Sequence, residues 1–216
     1  TGGVLNIDMI NTEAAQTITI TGAVSIEGTL DYTNADAASD SAGILDVEGN
    51  FAITGTSTIK SPDDGDTTLK LAGSTITLTG LVTLNDTTGK SILYFDGTSA
   101  QTVTFTGGIQ GHAISEGTID VAGTGAVTFK SAIGSVASYA ILEVEVSAGA
   151  EAIFESTIDV KNLDIDNDVT LYENGSTIGT DSANTGSLNI AASSVITIND
   201  TIVAGETIFT GTTATA

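Results

Sequence analysis

Residues 69–84 read Leu69-Lys70-Leu71-Ala72-Gly73-Ser74-Thr75-Ile76-Thr77-Leu78-Thr79-Gly80-Leu81-Val82-Thr83-Leu84. They hold three short alternating runs: Leu69 with Leu71, Ile76 with Leu78, and Val82 with Leu84. Alternation with period two is the signature of a strand buried on one face. Gly73 and Gly80 stand at the breaks, where a tight turn is needed. The stretch predicts three strands joined by two turns.

The triplet returns along the chain. Its first member appears as Leu5-Asn6-Ile7, Leu45-Asp46-Val47, Leu69-Lys70-Leu71, Leu93-Tyr94-Phe95, Ile119-Asp120-Val121, Leu142-Glu143-Val144, Leu163-Asp164-Ile165 and Leu188-Asn189-Ile190. Successive starts lie 40, 24, 24, 26, 23, 21 and 25 residues apart. Each is followed by a second strand, centred for example on Thr19, Ala52, Thr77, Thr104 and Thr128, and by a weaker third around Val24, Ile59, Val82, Ile109, Ile133 and Ile158. A unit of two dozen residues with three strands cannot bury its own apolar face, but stacked units make one continuous core.

The expectation is an all-β fold, a parallel β-helix (β-solenoid) of about eight three-strand coils over residues 1–209. A β-sandwich is the alternative, because its strands also recur with regular turns. The interval of 40 leaves eight or nine coils open. Leu30-Asp31-Tyr32 starts 25 residues after Leu5 and reads either as a rung of its own or as part of a loop insertion over 33–43. Residues 210–216 read as a linker or truncated repeat. A start at Thr1 with no signal-like segment reads as a processed or excerpted chain.

Composition bounds the function. The 216 residues carry 27 Asp plus Glu against 5 Lys plus Arg, a formal charge of −22. Phosphate recognition needs cationic contacts, so nucleic acid is excluded as a partner. Anionic membrane surfaces are excluded on the same ground. The most apolar window, residues 131–150, contains Glu143 and Glu145, so no membrane insertion is expected. A surface this acidic suits divalent cations or a salty medium. Cysteine is absent, which removes thiol catalysis and thiolate metal sites.

Phrases such as Gly123-Thr124-Gly125-Ala126-Val127-Thr128-Phe129 and Phe154-Glu155-Ser156-Thr157-Ile158-Asp159-Val160 resemble the degenerate β-strand repeats of large secreted bacterial surface proteins. These include surface-layer proteins, autotransporter passengers and filamentous haemagglutinin-like adhesins. The resemblance covers nearly the whole chain. It implies an extracellular, cell-surface structural protein, a self-assembling surface-layer or filament subunit whose main partner is itself. An adhesin stalk or passenger segment is the alternative, with surface glycans as a further partner class. It implies no catalytic residues.

Three constellations carry chemistry. In the first strands, the residue between the two apolar positions points outward. Stacked coils then align Asp120, Glu143, Asp164 and Asn189, with Glu145, Asp166 and Asp168 beside them. Glu143, Glu145, Asp164 and Asp166 are expected to form a square of carboxylates. Like charges on neighbouring strands repel, and Ca²⁺, with several oxygen ligands at flexible geometry, is the expected counter-ion. A solvated acidic face without a specific ion is the competing reading. Asp63, Asp64 and Asp66, after Pro62, form a second acidic turn open to Ca²⁺ or to water alone. The third constellation is threonine on outward positions (Thr17, Thr19, Thr21; Thr75, Thr77, Thr79; Thr102, Thr104, Thr106), interrupted by Ala52, Lys130 and Glu155. It resembles the faces of some ice-binding proteins, but Thr is also a good exposed strand residue. No enzyme is expected. His112, the single His, lies in a glycine-rich turn, and a polysaccharide-cleaving site would lack a basic residue beside its Asp cluster. Asn85, Asn174 and Asn199 match the glycosylation acceptor pattern.

Overall fold

The computed structural model describes residues 3–9, 15–34, 41–62, 64–134, 140–147, 149–156 and 158–165, and beyond them the backbone of six strands between residues 168 and 209. Five successive coils carry three strands each. The first holds β1 (Gly3–Met9), β2 (Gln16–Ile20) and β3 (Val24–Ile26). The second holds β4 (Gly28–Asn34), β5 (Gly43–Val47) and β6 (Phe51–Ile53). The third holds β7 (Ser57–Ser61), β8 (Thr67–Leu71) and β9 (Thr75–Leu78). Next come β10 (Val82–Asp86), β11 (Ser91–Phe95) and β12 (Gln101–Phe105), then β13 (Ile109–Gly111), β14 (Glu116–Val121) and β15 (Val127–Phe129). Further on lie β16 (Ile141–Val146), β17 (Glu151–Phe154), β18 (Asp159–Ile165), β19 (Asp168–Leu171) and β20 (Ser176–Ile178). The last are β21 (Ser187–Ile190), β22 (Ile196–Ile198), β23 (Ile202–Ala204) and β24 (Glu206–Phe209).

The strands stack into three sheets. Sheet A runs β1-β4-β7-β10-β13, sheet B starts β2-β5-β8-β11-β14-β16-β18, and sheet C runs from β3 to β22 through every coil between. Every ladder is parallel, for example β5 on β8 and β6 on β9. A sandwich needs antiparallel neighbours, so the solenoid is the fold. After β13, sheet A shrinks to single bridges, Ile109 to Ile133 and Ile133 to Ile158. Among the described residues the full three-strand coil therefore extends over about five turns rather than eight, although eight strands stack in sheet C.

The first coil corrects the expected frame. Leu5-Ile7 pairs with Leu30-Tyr32 on sheet A, not with Leu45-Val47. The residues above Leu45 and Val47 are Ile18 and Ile20, and those above Phe51 and Ile53 are Val24 and Ile26. The interval of 40 is thus one coil of 25 plus the step from sheet A to sheet B. Leu30 belongs to a complete rung. Within the expected 33–43 insertion, residues 33–34 and 43 are strand, and residues 35–40 lie outside the described residues, as does 210–216.

The core is a set of stacked columns. One runs Leu45-Leu69-Leu93-Ile119-Val144-Leu163, another Val47-Leu71-Phe95-Val121-Val146-Ile165. All are 0–2% exposed. Leu71 stacks on Phe95 and Leu78 on Phe105, as the repeat predicts. Leu84, however, sits against Gly111, and Ile109 covers Val82. Aromatic rings fill the middle: Phe129 stacks on Phe154 at 5.1 Å and meets Phe95 edge-on at 5.3 Å. Such pairs add about 0.5–1.5 kcal/mol beyond burial.

Polar corners stitch consecutive coils. Gln101 Nε2 donates to the carbonyls of Leu71 and Gly73, each at 3.0 Å, and its Oε1 accepts from the Gly97 N–H. Asn34 Nδ2 donates to the Ser41 and Asp66 carbonyls. Within single coils, Ser91 Oγ donates to the Asn85 carbonyl, and Thr67 Oγ1 to that of Lys60, closing the turns between sheets A and B. Each buried group among these has the partner it needs to offset desolvation.

Two glycine columns run up the corners: Gly3-Gly28-Gly55-Gly80-Gly107 at the entry to sheet A, and Gly22-Gly49-Gly73-Gly97-Gly123 between sheets B and C. A β-carbon at Gly28, Gly55 or Gly80 would fall on the glycine backbone one coil earlier. The same holds at Gly49, Gly73 and Gly123. Close backbone approach is what glycine alone permits.

Two outcomes follow. Leu78→Asp places an unpaired charge between Ile53 and Phe105, a cost above about 4 kcal/mol; the far-ultraviolet β signal is expected to be lost. Gly73→Ala drives a methyl into the Gly49 and Asn50 backbone, and urea melting is expected to show a loss of about 2 kcal/mol or more. An unchanged midpoint in either variant contradicts the register.

Candidate acidic face on sheet B

Outward residues of sheet B form a continuous row, Asp46, Lys70, Tyr94, Asp120, Glu145 and Asp164, with Asn189 next in backbone register. Neighbours on parallel strands lie ~4.8 Å apart along the stack. The row has two electrostatic halves.

In the lower half Lys70 is bracketed. Its Nζ lies 2.8 Å from Asp96 Oδ2 and 3.1 Å from Asp46 Oδ2. The Asp96 hydrogen bond, aided by Asp46 and opposed by burial, holds the ammonium above the ordinary lysine pKa. Tyr94, next in the row, is held above the ordinary phenol value by burial and then by the charges of Asp120 and Asp96.

In the upper half acids follow acids. Asp120 pairs across the ladder with Glu145, and Glu145 with Asp164. Burial pushes Asp120 up to about 6, reinforced by the negative charge of Glu145 and, more weakly, Glu143, and opposed by a hydrogen bond from Ser147. Asp120 Oδ1 is buried with no hydrogen-bond partner. This carboxyl takes up a proton near pH 6.

The expected square of carboxylates is corrected. Glu143 lies beside Thr118 and Asn162, and Val144, not Leu142, continues the column of Ile119. A slip of two residues preserves which side chains face inward, so alternation alone does not reveal it. Asp166 lies outside the described residues, and Asp168 opposes Glu151 on sheet C, away from this row. Among the described residues, no group of three or more His, Asp or Glu is arranged to hold a metal ion.

The acidic turn serves the corner. Asp66 Oδ1 accepts from the Lys90 N–H at 2.8 Å, and the Asp66 carbonyl accepts from the Gly43 N–H. Asp64 is exposed, and Asp63 lies outside the described residues. Asp86, which sequence reasoning passed over, is a second clamp: its Oδ1 accepts from Ser91 N–H and its Oδ2 from Gly117 N–H at 2.8 Å. An Asp ending one strand, five residues before the Ser that opens the next, was the only local signal for it.

The threonine set divides between faces. Thr17 and Thr19 lie on sheet B, whereas Thr75, Thr102 and Thr128 align on sheet C, as do Thr77 and Thr104. Lys130 and Glu155 form an exposed ion pair at 3.3 Å. His112 is exposed. Asn85 lies in β10; Asn174 and Asn199 lie outside the described residues.

The Asp120 shift sets a pH prediction. Its folded pKa, about 6, exceeds the ordinary value of 3.8. The folded state binds the extra proton, so this site's stabilisation is complete below about pH 4 and lost as pH rises through about 6. Asp120→Asn is expected to stabilise the fold at pH 7.5 by about 1 kcal/mol, after allowance for solvent screening, and to leave it unchanged at pH 4. Thermal melts of both proteins across pH 4–8 test this; equal shifts at both ends contradict it. Comparisons of the chain with protein-family models, with curated proteins and with solved structures give no match.

Proposed function

We propose that this chain is an extracellular structural element, a solenoid segment that builds a surface-layer or filament assembly. The observation that carries the reading is the repetition of one cross-section: the same inner columns and the same three strands recur coil upon coil. Such a body supplies length and stiffness, and its stability is a sum of coil-to-coil interfaces. The eight strands of sheet C stack over roughly 34 Å at ~4.8 Å each.

The charge of −22 adds the second element of the reading. It keeps lateral faces apart at low ionic strength and admits them when counter-ions accumulate. Ca²⁺ is the proposed counter-ion for the Asp120-Glu145-Asp164 row, since it accepts carboxylates at flexible geometry. A cation held only by the folded or assembled form stabilises that form by mass action.

Electron microscopy of concentrated protein tests the reading. Filaments or two-dimensional arrays with a ~4.8 Å repeat along the solenoid axis are expected. A particle that stays monomeric at every concentration while binding glycan favours the adhesin alternative. Ca²⁺ is expected to raise the melting temperature beyond NaCl at matched ionic strength, and Glu145→Gln with Asp164→Asn to remove most of that excess. If NaCl reproduces the whole effect, the row is a solvated face.

A further inference from the structure

We infer that the outer face of sheet A, over β7, β10 and β13, is a lateral docking surface for the acidic face of sheet B on a second copy. The inference rests on the assembly reading above and names the two faces that meet.

Sheet A carries a face that contrasts with the formal charge of −22. The outward residues are Thr58 and Lys60 on β7, Thr83 and Asn85 on β10, and Gln110 on β13. His112 follows in line, its N–H bonding the Leu84 carbonyl. The ladders set Thr58, Thr83 and Gln110 in one row and bring Lys60, Asn85 and His112 into the other. No carboxylate stands in either row over these three coils. Asp31, beside Thr58, bounds the strip one coil earlier. Each of the six side chains carries an N–H or O–H donor. None makes a hydrogen bond or ion pair to another described residue. Lys70 and Lys130, by contrast, are engaged by Asp46, Asp96 and Glu155.

Sheet B offers the counterpart. On β14, β16 and β18 the outward face bears Asp120, Glu143, Glu145 and Asp164, with Lys161 on β18 the one cation of these strands. Ionised carboxylates accept hydrogen bonds and donate none. Both strips span three strands and two outward residues per strand. Their ranks lie ~4.8 Å apart along the axis and ~6.6 Å apart along each strand. A copy displaced by two coils along a parallel axis therefore sets donors against acceptors on all three strands.

Charge selects the occupant. Sheet A against sheet B joins cations and donors to carboxylates, whereas sheet B against sheet B sets acid on acid. At physiological salt, charges more than about 8 Å apart are screened, so the net repulsion between copies fades while touching groups still attract. Further coils at either end would lengthen the solenoid along its axis and leave both faces open. The two strips lie on different faces, so the contact is heterologous, does not close on itself and propagates sideways into an array.

Analytical ultracentrifugation in about 0.15 M NaCl, over a hundredfold range of concentration, tests the proposal. Lys60→Glu with Gln110→Glu reverses the sheet A strip. Glu143→Lys with Glu145→Lys reverses the sheet B strip. Thr104→Lys alters the outer face of sheet C and is the control. Circular dichroism at low concentration verifies each fold. The wild type and Thr104→Lys are expected to gain mass with concentration, and each reversed variant to stay monomeric. An equal mixture of the two reversed variants retains one intact strip of each kind, so it is expected to form a one-to-one dimer and nothing larger. If the wild type assembles and either folded reversed variant assembles equally, or the mixture stays monomeric, these faces do not meet and the assembly reading stands. If the wild type stays monomeric throughout, the assembly reading fails and takes this one with it; polyglutamate bound by that monomer then assigns the sheet A strip to an acidic partner. If a reversed variant misfolds, Lys60→Glu alone or Glu143→Gln with Glu145→Gln takes its place, and the same outcomes decide.

Discussion

The constraint on which the rest depends is the ~4.8 Å separation of hydrogen-bonded parallel strands. All three sheets must keep it at once, so the corners must keep it too. Side chains at the corners would hold the coils apart, and the two glycine columns remove them. At the first of these corners the backbone itself bonds, with Gly55 N–H donating to the Gly28 carbonyl at 2.7 Å. Glycine is a poor strand residue, and its entropic cost is offset by the three ladders that the close corners allow.

Once the spacing is set, the interior follows. Each inward residue lands on its equivalent in the next coil, so columns of Leu, Ile, Val and Phe form without long-range design. The large rings concentrate where columns from sheets B and C meet, around Phe95, Phe105, Phe129 and Phe154. Polar side chains that bond the backbone gather near the turns between sheets, where carbonyls and N–H groups lose their strand partners. Gln101 and Asn34 donate to such carbonyls, Asp66 and Asp86 accept from freed backbone N–H groups, and all four tie one coil to the next. Corner chemistry and core chemistry are therefore separate: one sets spacing, the other supplies burial.

The same stacking turns outward chemistry into a property of rows. A single Asp on a strand is an ordinary solvated side chain. Half-buried in the stack, and beside the charge of Glu145, Asp120 has its pKa pushed up to about 6. Lys70 between Asp46 and Asp96 shows the opposite resolution of the same crowding, by a shared cation. The acidic face is thus a direct cost of the regular fold. Protons and salt relieve such repulsion, which makes the solution medium part of the fold's energetics.

The sequence alone determined the strand type, the period and the faces. Alternation at Leu69-Leu71, Ile76-Leu78 and Val82-Leu84 states which side chains are buried, because a one-residue slip would turn them all outward. The acidic composition likewise determined what the surface repels. The tertiary structure decided what alternation does not encode. A slip of two residues keeps every face, so only the ladder shows that Glu145, not Glu143, stands beside Asp120. Apolar-x-apolar phrases are alike on all three sheets, so Leu5-Ile7 was legible as a strand but not as a member of sheet A. Asp66 and Asp86 became backbone clamps only when another coil brought Lys90 and Gly117 to them. Glycine likewise reads in the sequence as a turn former, while its role as a spacer depends on which backbone lies one coil away, a relation that pairing of distant residues alone creates.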